Sequence, residues 1–256
     1  MSRPRIASLV PSLTELVCAL GLRQALVART GFCIHPTDLA EVPKVGGTKD
    51  VRLERLRALR PTHVLVNVDE NRLETVQALR AFVPEVVVTH PCAPEDNLAL
   101  YAQFAQVFGD QPGVHAAAAQ LSLALQAELD ATPPGRHPPE PVWVPIWREP
   151  WMTVSRDTYI SRLLARVGWQ TLPDQLGGPS GAARYPVMTG TEPWLASVRH
   201  VLLPSEPYRF DAHHVAEVQA LCPQARVRLV DGEWLSWYGP RAAAALRALR
   251  ALRESP

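Results

Sequence analysis

The chain has 256 residues, enough for one large domain or two small ones with separate cores, and too many for a disulfide-stapled scaffold. Apolar residues make up 47% and charged residues 20%, which excludes global disorder. The 26 Lys and Arg against 25 Asp and Glu leave a net charge of +1, a balance that draws the chain neither to nucleic acid nor to an anionic membrane.

In chain order, Arg5–Val10 reads as a strand. Ser12 can cap a helix through Gly21, with Glu15 three residues on completing a capping box. Leu26–Thr30 reads as a short strand. Leu53, Leu56 and Leu59 space a helix that stops before Pro61, and His63–Val68 follows as a strand. Glu70–Phe82 reads as helix, Glu85–Thr89 as strand and Pro94–Phe108 as helix. Strands alternating with helices predict a mostly parallel sheet covered on both faces.

The rhythm then changes. Pro112–Ala131 carries Val114, Ala118, Leu121, Leu125 and Leu129 on one stripe with no strand near it; twenty helical residues reach about 30 Å. Thr132–Pro141 has five prolines in ten residues and reads as a stiff linker. After it, Val142–Trp147 and Trp151–Val154 read as strands and Asp157–Val167 as a helix capped by Asp157. Val198–Leu203 is predicted as strand, Asp211–Leu221 as helix and Arg226–Val230 as strand. Gly239-Pro240 opens a last helix to about Arg253. The expected organisation is an N-terminal α/β lobe over 1–110, a linking helix with its Pro-rich linker over 111–141 and a C-terminal α/β lobe over 142–256. A faint echo between LRALRPTHVLVN at 56–67 and WLASVRHVLLPS at 194–205 fits two similar lobes.

Cys18, Cys33, Cys92 and Cys222 lie far apart with no CxxC pair. No stretch approaches 18 apolar residues, so no membrane span is expected. The apolar run Ile6–Val10 is shorter than a secretory h-region, so the expected compartment is the cytoplasm as the chain is written, or the periplasm if its N-terminus is incomplete.

In open α/β sheets, ligands bind beyond the carboxyl ends of the strands. The segments expected there are rich in polar and aromatic residues, and all seven tryptophans lie in the second half of the chain. Trp147, Trp151, Trp237 and Tyr238 are candidates for the apolar faces of a large planar ligand. Glu70, Asn71, Arg148, Glu206 and Tyr208 are candidates for its polar rim. Trp169, at a predicted helix end, reads as packing, and His213-His214 at a helix start as solvated.

Five segments resemble a known family: SLVPSLTELVCALG at 8–21, VGGTKD at 45–50, LRPTHVLVNVDENR at 59–72, PIWREPWMTVSRDTYI at 145–160 and DGEWLSWYGPR at 231–241. They are similar to class III periplasmic binding proteins, the substrate-binding components of cobalamin and iron-siderophore importers, also called helical-backbone metal receptors. The WREPWMTVSRDTY and SWYGPR segments resemble the cobalamin-binding branch most closely. The resemblance implies two Rossmann-like lobes joined by one long helix, and a corrinoid held between the lobes without chemical conversion. It adds Ser12 and Asn67 to the candidate ligand contacts, Asn67 falling near a position where cobalamin-binding members place an aromatic. It also implies an ABC permease as partner, with one surface acid per lobe to dock on it; Glu74 and Glu217 are the candidates. A monomer without a resident cofactor is expected.

Three rival readings stand beside this one. Cys33-x-His35 and His90-x-Cys92 offer two thiolates and two imidazoles of a kind that suits zinc, though not in a known finger spacing. An iron chelate or haem is the alternative ligand. Glu70 and Glu206 are conceivable as an acid/base pair, but GxSxG, HExxH and GxxxxGK[ST] are all absent from the sequence, so no enzyme activity is expected.

Overall fold

A computed structural model describes residues 3–255. The chain divides into two compact units. Among the described residues the first comprises 3–91 and 97–123, the second 92–96 and 124–255.

The first unit is built on a parallel sheet of four strands, β1 (Ile6–Ser8), β2 (Leu26–Arg29), β3 (His63–Asn67) and β4 (Glu85–Thr89), in the order β2-β1-β3-β4. Helices α1 (Pro11–Ala19), α2 (Leu53–Ala58) and α3 (Leu73–Leu79) alternate with the strands, and α4 (Asp96–Phe108) follows β4. β1 and β3 are central strands buried on both faces, hence the unbroken apolar runs Ile6-Ala7 and Val64–Val66. Their side chains pack with Leu56, Leu79 and Val83 into the core of this unit.

The second unit repeats the plan with β5 (Glu140–Trp143), β7 (Trp169–Thr171), β9 (His200–Pro204) and β10 (Arg226–Val230), all parallel, in the order β10-β9-β5-β7. A small antiparallel pair, β6 (Trp151–Met152) with β8 (Val187–Met188), stands apart from that sheet. The helices are α6 (Tyr159–Ala165), α7 (Ala212–Leu221), α8 (Gly232–Ser236) and α9 (Ala242–Glu254). β10 is an edge strand, and its exposed Arg226 carries charge where a neighbouring sheet would otherwise add on. The echoed segments end in β3 and β9, each an inner strand of its sheet. The long helix α5 (Val114–Ala131) begins in the first unit and ends in the second. No helix among the described residues is long and apolar enough to cross a membrane.

Several local expectations need correction. Ser12 does not cap α1: the cap position is Val10, Pro11 opens the helix, and the Ser12 hydroxyl is buried without a protein partner. Thr158, not Asp157, caps α6, accepting the Ser161 N–H. The Asp157 carboxylate instead takes the Ser155 hydroxyl at 2.6 Å and the Gly177 N–H at 2.9 Å. Burial opposes its charge, but these donors hold its carboxyl below the ordinary range. The predicted helix from Glu70 starts only at Leu73, because Asn71 is spent on the loop before it. Trp169 lies in a strand at 0% exposure, not at a helix end. Gly232–Ser236, to which no element is assigned from the sequence, forms α8 with Asp231 as its cap.

Candidate functional site

A parallel sheet offers a crevice where adjacent strands send their connections in opposite directions. In the second unit that point lies between β5 and β9. The chain leaving β5 runs to Trp147, and the chain leaving β9 runs to Tyr208. The two rings meet edge to face with centroids 5.6 Å apart, and Trp147 is 44% exposed. An indole this open, fixed from one side by a tyrosine, offers flat apolar area to a ligand at no packing cost.

The segment after Trp147 is held tightly. Ile146 N–H donates to Met152 O at 2.9 Å and Met152 N–H to Trp147 O at 3.1 Å, closing 147–151 into a hairpin. Arg148 pins it to α7 through a two-pronged contact with Glu217, at 2.5 and 3.1 Å, while its guanidinium lies 4.8 Å over the Trp151 ring. Trp151 is 9% exposed, stacked on Phe210 and edge-on to Trp143. Of the two hairpin tryptophans, therefore, Trp147 faces out and Trp151 belongs to the core.

The other second-unit candidates are more enclosed. Trp237 and Tyr238 are 5% and 4% exposed. Arg241 covers the Trp237 ring at 4.9 Å, and Tyr238 sits edge-on to Tyr159. Glu206 accepts hydrogen bonds from the Ser236 hydroxyl and the Trp237 indole N–H. Burial pushes the Glu206 carboxyl above its ordinary range, and nearby Glu233 and Asp231 add to this against those two donors.

In the first unit the crevice lies between β1 and β3. Ser12, Asn67 and Asn71 are all there and all buried. Asn71 Oδ1 accepts the Asn67 N–H, and its Nδ2 donates to Thr48 O at 2.9 Å and Leu9 O at 3.4 Å. Asn67 Oδ1 accepts the Asp69 N–H at 2.8 Å. These two amides tie the loop after β3 to β1 and to the VGGTKD segment. Half-buried Glu70 lies in that loop, and Glu74 is exposed on the first turn of α3. Sequence reasoning missed the exposed apolar residues of these loops: Phe32, Ile34 and Val68 are 62%, 54% and 39% exposed. The signal that could find two of them is TGFCIHP, where Phe32 and Ile34 flank a buried cysteine just past a strand exit.

The candidate metal ligands have other engagements. Cys33 is fully buried, 3.1 Å from the Thr30 hydroxyl, and burial raises its thiol pKa. His90 pairs with Asp69 at 3.3 Å. In the second unit the Cys92 thiol accepts from the buried Arg184 at 3.3 Å. Among the described residues no group of three or more His, Cys, Asp or Glu is arranged to hold a metal ion. His214, expected to be solvated, has only 18% of its side chain exposed and packs between Tyr208 and Phe210; His213 is open to solvent.

A family model described as periplasmic binding protein matches residues 6–183. The vitamin B12-binding protein of Pectobacterium atrosepticum is 24% identical over 247 residues, covering 93% of this chain and 84% of that protein. Among solved structures, the periplasmic vitamin B12 binding protein BtuF of Vibrio cholerae is similar with a TM-score of 0.81 at 17% identity, covering 98% of this chain and 96% of that one. The periplasmic heme binding protein HutB of Vibrio cholerae is similar with a TM-score of 0.79 at 22% identity, covering 99% and 100%. The structural likenesses establish the two-unit α/β fold expected for a class III binding protein. The family model spans well over half of the sequence, and the chain belongs to the periplasmic binding protein family.

Proposed function

We propose that this chain is the substrate-binding component of an importer and that its ligand is a corrinoid of the cobalamin type. The observation that carries the reading is Trp147, an open indole braced by Tyr208 at the switch point of the second sheet, as a broad apolar ligand requires. The vitamin B12-binding relative, matched along 93% of the chain, supports a corrinoid as that ligand. Trp147 takes an apolar face, and Tyr208 and Arg148 line the rim. The first unit carries its own candidates, Glu70 and the exposed Phe32, Ile34 and Val68, with the loop after β3 held in shape by Asn67 and Asn71. Buried Trp151, Trp237 and Tyr238 act by shaping the second unit. Glu74 is the carboxylate offered to a permease; Glu217, already paired with Arg148, is second choice. Haem is the second ligand reading, favoured by the similarity to a heme-binding structure. Ligand is captured and handed on unchanged, so incubation followed by mass spectrometry should return it intact.

The test is a titration with cyanocobalamin followed by tryptophan fluorescence. Corrin absorption overlaps indole emission, so binding should quench saturably. Trp147→Ala should weaken binding by about 1–3 kcal/mol, the cost of losing an aromatic anchor. Quenching with unchanged affinity in Trp147→Ala would move the site elsewhere; no saturable quenching at all would reject the corrinoid. Cell fractionation with antibody detection decides between periplasm and cytoplasm.

A further inference from the structure

Tyr208 does not stand alone beside Trp147. Its hydroxyl lies 3.3 Å from Nε2 of His214, and the other ring nitrogen, Nδ1, lies 2.9 Å from Oδ1 of Asp211. Asp211 is the cap of α7, its carboxylate also taking the His213 N–H at 3.0 Å. The His214 ring is wedged edge-on between Tyr208 and Phe210, at 5.5 and 5.2 Å between centroids, so it is not free to turn. Asp211, His214 and Tyr208 thus form one hydrogen-bonded row that ends at the exposed indole.

The direction of the row follows from where the imidazole proton sits. The Asp211 backbone N–H lies 3.1 Å from Nδ1 and would suit an unprotonated Nδ1. The carboxylate at 2.9 Å requires the opposite, and it prevails. A charge-assisted hydrogen bond is about twice as strong as a neutral one, and a bare Nδ1 lone pair would face an anion. Asp211 keeps that charge because the His213 N–H and the His214 ring hold its carboxyl below the ordinary range. In a neutral imidazole with its proton on Nδ1, Nε2 accepts and the Tyr208 O–H donates to it.

We propose that Asp211 and His214 are positioning residues that lock the Tyr208 hydroxyl as a hydrogen-bond acceptor beside Trp147, so that this corner of the site selects ligands with N–H donors on their rim, such as primary amides, over ligands with carboxylates there. The proposal rests on the reading of Trp147 and Tyr208 as ligand contacts. Arg148 does not undo the selection, because its guanidinium is already bracketed by Glu217 and Glu149.

Two measurements test it. The first compares dicyanocobinamide, with an amide rim, with dicyanocobyrinic acid, with a carboxylate rim, by fluorescence quenching. Tyr208→Phe and His214→Phe should each reduce the wild-type preference for the amide ligand by about 3- to 10-fold, the worth of one net hydrogen bond. The double variant should lose no more than either single one. Preference unchanged in His214→Phe, or losses that add, would overturn the proposal. The second is the ¹⁵N spectrum of the His214 ring in the ligand-free full chain. Nδ1 should be protonated and Nε2 bare, with Asp211→Asn shifting the balance toward the other tautomer. A protonated Nε2 in the wild type would also overturn it. A chain that binds neither corrinoid overturns the ligand reading and the selectivity with it, while the nitrogen spectrum of the same sample still shows whether the row is oriented as argued.

Discussion

Glu128, near the end of α5, is 6% exposed and accepts from two arginines of α9: Arg247 Nε at 2.7 Å on one oxygen and Arg250 Nη2 at 3.4 Å on the other. Truncation in Glu128→Ala removes the anion and strands both cations. Arg247 has 67% of its side chain exposed and can return to water, so its half of the interaction is worth about 0–1 kcal/mol. Arg250, with 28% exposed, is left partly desolvated against the place the carboxylate occupied. Breaking a fully enclosed pair costs roughly 3–5 kcal/mol, so the half-open geometry here implies about 2–3 kcal/mol. Glu128→Gln keeps an acceptor oxygen and should cost only about 1 kcal/mol. Urea unfolding followed by tryptophan fluorescence is the assay of choice, because every tryptophan lies in the second unit and the signal reports that unit alone. The midpoint should fall with the slope unchanged. An alanine variant within about 0.5 kcal/mol of wild type, the range of an ordinary surface substitution, would mean that Glu128 does not anchor α9 to α5.

Gly46→Ala should destabilise the first unit by roughly 2 kcal/mol or more: Gly46 has φ +111°, and an added Cβ would overlap the Asp50 carbonyl oxygen. Hydrogen exchange at first-unit amides, with second-unit amides as the internal control, checks this; equal protection in variant and wild type would contradict it. For Glu206 the sign is the reverse of the usual carboxylate. Its folded pKa is raised, so the folded state holds this proton more tightly, and the stabilisation is present below the unfolded value, about 4.3, and lost as pH climbs through the folded one. Glu206→Gln should therefore gain stability relative to wild type between acidic and neutral pH. Midpoints measured at pH 4 and pH 7 decide it, and a difference between variant and wild type that does not change with pH would count against the buried charge.

The fold is legible in the sequence wherever burial dictates composition. The apolar runs Val64–Val66 and Val201–Leu203 cannot face water, so sequence alone places β3 and β9 within a residue or two of their observed bounds. Glu85–Thr89 and Arg226–Val230 fall on their observed limits. What is illegible is competition among polar groups. Ser12, Asp157 and Asn71 each suit a helix start by residue type, but a proline, a neighbouring threonine and a distant carbonyl decide their roles. β7 escapes notice because Trp169–Thr171 is only three residues long and follows its helix without a turn cluster. At the site, residue type points to the aromatic loops but not to which ring faces out. Trp147 and Trp151 are four residues apart in one hairpin, and only the packing of Phe210, Trp143 and Arg148 around the second tells them apart. The Asp211–His214–Tyr208 row is hidden for a similar reason: His213 and His214 are adjacent, and only the turn of the helix separates the solvated one from the packed one.

Equilibrium dialysis against cyanocobalamin and haemin, separately and in competition, tests whether this chain binds a corrinoid. One cyanocobalamin should be retained per chain, saturably, with haemin displaced by it and the retained fraction reduced in Trp147→Ala. One haemin per chain that cyanocobalamin does not displace would contradict it.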